Sequence, residues 1–523
     1  MVLVSTRCLL FALAVALLYF IVPKKLQWTV LLAANVFFYC THGAFYLIYL
    51  VSAGILSFFA ALLLEKAAAS AGKAQEAGKD RGEVQKTLLK KKKLITAAAV
   101  AGILGTWIVI KYGAFLLGNI NALLRLSGSV TEIGIPELIL PLGMSFYTFH
   151  AIGYIVDVYR KKYPAERSFL KFFTFLSFFP HMIEGPFSRY DLLGKSLKEE
   201  HSFSADRLYE GCARILFGVF KKVVIADPLA STVTMILGDY ENYGGVHIIF
   251  ALLVYSIRLY ADFSGYMDMV CGFCRILGIE LAENFRMPYF ARTVDEYWRR
   301  WHITLGRWFR DYVFYPVSMG KTGVKLSKWA RKKWGPKAAK LISGYFALIF
   351  VWTATGLWHG ANWTFLVWGY LNLLVIVSTM QLGDLYEHVK NRLHINSEGK
   401  LWKGFCMLRT FLLVSFFRFF SISASVGVAF STIGHCFKDL RIGALANPSG
   451  FFVGMYREEL IICGAGVIFL IITDVLRETG KWEKVKGRMP FAGRAFIYAL
   501  MMLMIMMMTR GSDVSKGFIY ANF

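Results

Sequence analysis

His359 is the side chain whose type and position are best suited to chemistry. It lies near the centre of Leu341–Gly383, a stretch without Lys, Arg, Asp or Glu. Histidine titrates near neutral pH and can take and return a proton. An ionisable side chain at membrane depth is unfavourable unless it has a partner or a function. The stretch is long enough for two spans or a re-entrant hairpin, with Gly356 and Gly360 as the places to turn or break.

Proton transfer is the chemistry that this position favours. No Cys, Asp or Glu adjoins His359, and the HExxH and GxSxG motifs of metalloproteases and hydrolases are absent. A general base toward an incoming hydroxyl remains, which suits acyl transfer to an oxygen nucleophile. Asn362, Trp358 and Trp363 are candidate donors to the oxyanion. A transporter or flippase with a proton-relaying histidine is an alternative, although no second half with paired broken helices is visible.

His302 lies in a second informative stretch, residues 292–316. Aromatic and apolar side chains recur there at steps of three and four, which predicts one face of a helix. These residues are Trp298, Trp301, Leu305, Trp308 and Tyr312, with Arg299, Arg300, Arg307 and Arg310 on the other side. An aromatic face opposite a basic face is typical of a helix in the membrane interface. Headgroup contact is the preferred role of the arginines; the alternative is that one or two bind donor phosphates.

Composition places these histidines in a polytopic, all-helical membrane protein. Of 523 residues, 56% are hydrophobic and only 18% are charged. The net charge of +25 comes from Lys and Arg in short loops between apolar segments, which indicates attraction to anionic lipid headgroups and excludes a nucleic-acid partner. Cys271 and Cys274 form a CxxC motif without a second Cys/His pair. We therefore expect both side chains to pack as small apolar groups and to bind no metal.

Basic loops predict the orientation of the chain. Lys24 and Lys25, the loop Glu65–Lys93, the stretch Lys321–Lys340 and the stretch Glu387–Lys403 are all net basic and should be cytoplasmic. Both ends of the Leu341–Gly383 stretch then lie in the cytoplasm, with His359 at the far turn. The N- and C-termini should be extracytoplasmic, and the Glu65–Lys93 loop a solvated helical arm or partly disordered.

Three other segments carry charges among apolar residues. Phe172–Phe179 is too short to span, so it reads as re-entrant or interfacial, and Glu184 and Arg189 follow it. Gly211–Leu229, with Lys221 and Lys222, looks amphipathic and should lie near the cytoplasmic surface. The segment from Asp262 to Asp268 is either a helix break lining a cavity or a short surface turn. Both aspartates are expected to form structural ion pairs.

Several short motifs together resemble the membrane-bound O-acyltransferase (MBOAT) family. They occur in the family's order over residues 140–369, within a single multi-pass domain covering residues 1–523. The matching pieces are 140–149 (LPLGMSFYTF), 184–190 (EGPFSRY), 221–228 (KKVVIADP), 262–266 (DFSGY), 283–285 (ENF), 298–302 (WRRWH), 310–312 (RDY) and 356–360 (GLWHG). Within the family the chain is similar to the alginate O-acetylation (AlgI-like) branch, and the D-alanine transfer protein DltB is a close relative.

The resemblance implies a helical body with a central funnel and re-entrant or interfacial helices, His359 as the catalytic histidine and His302 as the second one. It implies a cytoplasmic acyl thioester as co-substrate, acetyl-CoA or an acyl carrier protein, with no bound cofactor. The expected acceptor is an extracellular polysaccharide, reached directly or through an extracytoplasmic acyltransferase- or esterase-like partner, and the expected location is the inner cell membrane. Substrate-binding candidates are Asn362, Trp358, Arg299, Arg300, Arg310, Asp311, Glu184 and Arg189.

The branch assignment rests on further pieces of sequence. The 221–228 segment, the chain length and Gly517–Tyr520 favour the AlgI-like branch over D-alanyl transfer to teichoic acid, which stays the alternative. His181–Glu184 departs from the family pattern by its acidic residue, so acceptor or partner contacts there can differ. A non-catalytic scaffold that hands the acyl group to a partner is a third possibility.

Overall fold

The fold is known from a computed structural model that describes residues 5–509, apart from the side chains of residues 448 and 449. This part of the chain forms twenty α-helices and no strand, which confirms the all-α class. The helices are α1 Thr6–Ile21, α2 Gln27–Cys40, α3 Leu47–Glu76, α4 Arg81–Leu126, α5 Met144–Tyr159, α6 Phe169–Leu176, α7 Ala205–Phe220, α8 Asp227–Gly238, α9 Gly245–Leu277, α10 Val294–Arg300, α11 Ile303–Phe309, α12 Tyr315–Ser318, α13 Lys321–His359, α14 Trp363–Gln381, α15 Gly383–Arg392, α16 Lys400–Ile422, α17 Val426–Lys438, α18 Arg457–Glu478, α19 Trp482–Arg488 and α20 Phe491–Thr509. The Gly517–Tyr520 segment lies outside the described residues.

Eight of the described helices are long and apolar enough to cross a bilayer, which agrees with a polytopic membrane protein. They are α3 (with the preceding residues from Ala44), α4, α9, α13, α14, α16, α18 and α20. The Leu341–Gly383 stretch supplies the apolar parts of α13 and α14, so the two-span alternative is the one that matches the helix lengths.

The chain divides into two compact units. Among the described residues, the first comprises 5–211 and 273–282, and the second 212–272 and 283–509. In the first unit the basic Glu65–Lys93 segment is the helical arm: α3 runs on to Glu76, and α4 begins at Arg81. Asp80 caps α4 by accepting a hydrogen bond from the Glu83 N–H (2.7 Å).

The first unit contains two irregular segments. Gly143 has a left-handed φ of 67°, and α5 starts only after it, so this helix has an irregular entry. The short helix α6 is fixed by Asn35, whose side-chain amide donates to the Thr174 carbonyl (3.1 Å) and accepts from the Phe179 N–H (2.9 Å). With eight residues, α6 is too short to span.

Two predictions for the second unit need correction. The predicted amphipathic segment Gly211–Leu229 mixes exposed, half-exposed and buried residues along the end of α7, but residues 221–226 form a π-helical segment whose lysines are buried. Lys221 pairs with Asp268 and Lys222 with Asp262, each at 2.8 Å. Asp262 and Asp268 lie within the unbroken helix α9, so neither a break nor a surface turn exists there. The ion pairs expected for both aspartates are confirmed, because a charge buried at this depth needs an opposite charge.

Candidate functional site

His359 is the last residue of α13, and its imidazole is buried. Its Nδ1 lies 2.7 Å from the backbone carbonyl oxygen of Thr355, one helical turn earlier. A carbonyl can only accept, so Nδ1 carries the proton of the neutral ring and Nε2 carries the lone pair. This arrangement leaves Nε2 as the atom suited to take a proton.

The chain reverses directly after His359. Gly360 is extended, and α14 begins at Trp363 with Asn362 as its N-cap. The Asn362 side chain accepts from the Thr364 N–H and donates to the Ala424 carbonyl, both at 3.0 Å. Its amide therefore holds the turn. Gly360 is a break, as expected, but Gly356 lies inside α13, where an added Cβ would stand 2.6 Å from the Phe365 carbonyl oxygen. Gly356 thus permits the close approach of α14.

A small pocket opens beside His359 in the second unit. Its other lining residues are Tyr255, Leu259, Phe365, Trp368, Arg418 and Ser421. The pocket combines aromatic walls with two hydroxyls and one guanidinium, the mixture typical of a substrate site. Sequence reasoning missed Arg418, although a signal existed: it is the one Lys, Arg, Asp or Glu between Arg409 and Lys438.

His302 is positioned by a break between two helices. It has a left-handed φ of 47° and separates α10 from α11, so the prediction of one continuous helix face from Trp298 to Tyr312 is wrong. The cause is tertiary: Phe285 and Trp301 form an antiparallel bridge, and the Ile303 N–H donates to the Asn284 carbonyl (3.0 Å). The neighbouring segment pulls the chain out of helical geometry.

Asn284 also sets the protonation pattern of His302. Its Oδ1 accepts from the Thr304 N–H (3.1 Å) and the Thr304 hydroxyl (2.9 Å) and lies 3.2 Å from His302 Nδ1. A backbone N–H can only donate, so the atom facing it must be the amide oxygen, and Nδ1 must carry the proton. Nothing in the sequence signalled Asn284 as the partner of His302.

The two histidines share one neighbour. The Trp358 ring centre lies 5.7 Å from that of His302 and 4.9 Å from that of His359. Burial lowers the pKa of His302 well below its usual value, and His359 lowers it further. The His302 imidazole is therefore neutral at pH 7, and the structure brings together three of the expected site residues, His302, Trp358 and His359.

The expected arginine cluster does not converge on this pair. Arg299 pairs with Asp295 on the exposed side of α10, and Arg310 with its neighbour Asp311. Arg300 makes a two-pronged ion pair with Glu478 of α18 at 2.7 and 2.8 Å. Of these pairs, the one made by Arg300 links α10 to α18, while the other two are local.

The remaining candidates belong to the first unit. Glu184 is completely buried, and Arg189 lies 3.9 Å from the carboxylate of Asp157. Within residues 5–509, no group of three or more His, Cys, Asp or Glu side chains is arranged to hold a metal ion.

Comparisons with known proteins identify the family. The family model described as membrane-bound O-acyltransferase matches residues 164–332. A probable alginate O-acetylase AlgI of Pseudomonas syringae pv. tomato is 31% identical over 72% of this chain and 68% of its own length. The chain belongs to the membrane-bound O-acyltransferase family. His302 lies inside the matched segment of this MBOAT protein, and His359 follows it.

Two further relatives show how far the similarity reaches. A probable alginate O-acetylase AlgI of Azotobacter vinelandii is 38% identical over 50% of this chain, and the match spans about half of that relative, 48% of its length. A peptidoglycan O-acetyltransferase of Helicobacter pylori is 28% identical over 83% of this chain and 78% of its own length. These MBOAT relatives are named for transfer to two different glycans.

Proposed function

We propose that this MBOAT protein is an O-acyltransferase that moves an acyl group, acetyl in the first instance, from a cytoplasmic thioester to a hydroxyl of an extracytoplasmic polysaccharide. The observation that carries the proposal is the buried His359, whose Nδ1 is held by the Thr355 carbonyl beside a pocket with polar groups. The names of the relatives supply the substrate class: alginate and peptidoglycan are both polymers of hydroxyl-bearing sugars.

In the proposed reaction His359 Nε2 accepts the proton of the acceptor hydroxyl as its oxygen attacks the thioester carbonyl carbon. A C–O bond forms, and the carbonyl electrons move to oxygen. When the carbonyl reforms, the C–S bond breaks, and the departing thiolate takes the proton back from the imidazolium. The base is thereby regenerated in each cycle.

His302 is assigned the role of a proton relay or of donor-site positioning. Its contact with Trp358, which also touches His359, supports a link between the two rings. A neutral imidazole can accept a proton at Nε2 and release one from Nδ1, so the low pKa of His302 keeps it in the form that a relay requires.

Topology supports two separate substrate entries. The basic stretches on either side of α13 and α14 are expected in the cytoplasm, which would put His359 at the opposite end of α13 from Lys321. The acyl donor would then approach from one side and the polysaccharide from the other. An extracytoplasmic partner protein that receives the acyl group first is the alternative route for the last step.

The test is transfer in proteoliposomes that contain the full chain, with acetyl-coenzyme A labelled in its acetyl group and alginate or peptidoglycan strands as acceptors. His359→Ala should lower transfer by about 10²- to 10⁴-fold, the usual contribution of a general base. His435→Gln is the matched control, because His435 is another hydrogen-bonded histidine of the second unit, away from the pocket. A well-folded His359→Ala protein with undiminished transfer would overturn the proposal.

A further inference from the structure

Arg418 is a charged side chain near the C-terminal end of the apolar helix α16, four residues before Ile422. Arg418 is only 4% exposed, and its side chain lines the same pocket as His359. A guanidinium stays protonated at any accessible pH. Ionisable groups that are buried within a spanning helix face the protein interior and often mark substrate or ion sites.

The orientation of this guanidinium is fixed from one side. Its Nη2 donates to the Tyr297 hydroxyl (3.0 Å), and its central carbon lies 5.5 Å from the ring centre of Trp301. The hydrogen bond and the cation–π contact both come from the segment that leads into His302. Arg418 is thus held in place before any substrate enters, which is the condition for electrostatic catalysis.

The proposed reaction creates a charge that this group matches. Attack on the acyl carbonyl places a negative charge on oxygen, beside His359 as the ring becomes positive. We propose that Arg418 is a catalytic residue whose N–H groups bind the oxyanion of the tetrahedral intermediate, an inference that rests on the proposed function. Among the other candidate donors, the Asn362 amide suits this role less well, because it already bonds to the Ala424 carbonyl.

During the step, the electron pair and the proton are held by different residues. The carbonyl electron pair moves to oxygen and is held by the Arg418 N–H groups, which keep their protons throughout. The hydroxyl proton goes to His359 Nε2. When the electron pair returns, the C–S bond breaks and the thiolate leaves with that proton. Arg418 therefore stabilises charge without exchanging a proton.

Arg418→Met tests the inference, because Met keeps an unbranched apolar chain of similar reach without the charge. With labelled acetyl-coenzyme A and alginate, kcat should fall by about 10²- to 10³-fold, the effect of losing one oxyanion donor. The KM for each substrate should change little, because the guanidinium acts on charge that the ground state lacks. Arg418→Lys should keep part of the activity.

The matched control is Arg409→Met on the same helix. Arg409 donates to the Arg292 carbonyl (2.7 Å) and lies outside the pocket, so kcat should stay at the wild-type value. Arg418→Ala supplies a second measurement, because added guanidinium chloride should restore transfer and added ammonium chloride should not. Thermal unfolding of each variant identifies misfolding. If Arg418→Met misfolds, the activity of Arg418→Lys and the guanidinium rescue of Arg418→Ala decide whether the guanidinium acts in the reaction.

Two results would overturn the role. The first is a wild-type kcat in a folded Arg418→Met protein. The second is a rise in the KM for alginate alone with kcat unchanged, which would make Arg418 a binding site for the acceptor carboxylates. Failure of the proposed function is recognised separately, because His359→Ala would then transfer normally whatever Arg418 does.

Discussion

His359 and His302 adopt the same tautomer, but the acceptor that selects it differs. Each has its Nδ1 beside an oxygen that can only accept, so each presents a lone pair on Nε2. For His359 that oxygen is the Thr355 carbonyl, four residues earlier on the same helix. For His302 it is the Asn284 side chain, 18 residues earlier and outside the helices that flank His302. One orientation is therefore built from local helix geometry, and the other from a tertiary contact.

The difference determines how each histidine can fail. No side-chain substitution removes the Thr355 carbonyl. The orientation of the His359 ring is therefore disturbed only when the end of α13 moves. His302 depends on one amide that also accepts two hydrogen bonds from Thr304. The His302 orientation should therefore be sensitive to single substitutions at Asn284, while that of His359 should respond to changes in helix packing.

Gly356→Ala should have the largest effect on the His359 side. The new Cβ would stand 2.6 Å from the Phe365 carbonyl oxygen, so α13 and α14 must move apart. Displacement of a catalytic group by about 1 Å can lower the rate by roughly 100-fold, and overpacking typically costs about 1–3 kcal/mol. Acetyl transfer and thermal unfolding measure the two effects.

Gly344→Ala is the control for that experiment. Gly344 lies on the same helix, and a Cβ there meets no heavy atom within 4 Å. Its transfer rate should stay at the wild-type value. Equal loss in both variants would show that helix composition, and not the contact at Gly356, governs the activity.

Asn284→Leu should have the next largest effect, because it removes the acceptor shared by His302 and Thr304. Loss of a partner that orients a metal-bound histidine costs roughly 10- to 100-fold, and we expect a fall in transfer of the same order when His302 Nδ1 loses its acceptor. The ¹⁵N chemical shifts of His302, assigned by comparison with His302→Gln, should change from one tautomer to a mixture. An unchanged tautomer would contradict the assignment to Asn284.

Asn284→Asp separates hydrogen bonding from charge. The carboxylate still accepts from His302 Nδ1, so the tautomer should be retained. Its negative charge favours the imidazolium and should raise the low pKa of His302. In its proposed role as a relay His302 needs the neutral ring, so transfer should then be lost at a higher pH on acidification than in the wild type.

Thr355→Val should have the smallest effect. The substitution removes a hydroxyl that donates to the Val351 carbonyl (2.7 Å) and keeps the backbone carbonyl that holds His359. We expect an unchanged kcat and a stability loss of about 1 kcal/mol, the net contribution of one hydrogen bond. A large fall in kcat would mean that the side chain, and not the carbonyl, controls His359.

Predictions from sequence were correct for features set by local pattern or buried charge and wrong where a tertiary contact decided. Three features could be predicted: the break at Gly360, the two apolar helices around His359, and an ion pair for each of Asp262 and Asp268. Each follows from local composition or from the need to neutralise a buried charge. The prediction of one helix face from Trp298 to Tyr312 was wrong, because sequence periodicity carries no information about the bridge between Phe285 and Trp301.

The sequence by itself determined that this is an all-helical membrane protein with a histidine in an uncharged stretch, since hydropathy and charge act along the chain. Only the tertiary structure decided that Asn284 orients His302 and that Arg418 shares a pocket with His359. These residues are distant in sequence, and an amide or a guanidinium forms hydrogen bonds wherever folding brings a suitable acceptor or donor within about 3 Å. Such pairings depend on helix packing, which no local pattern records.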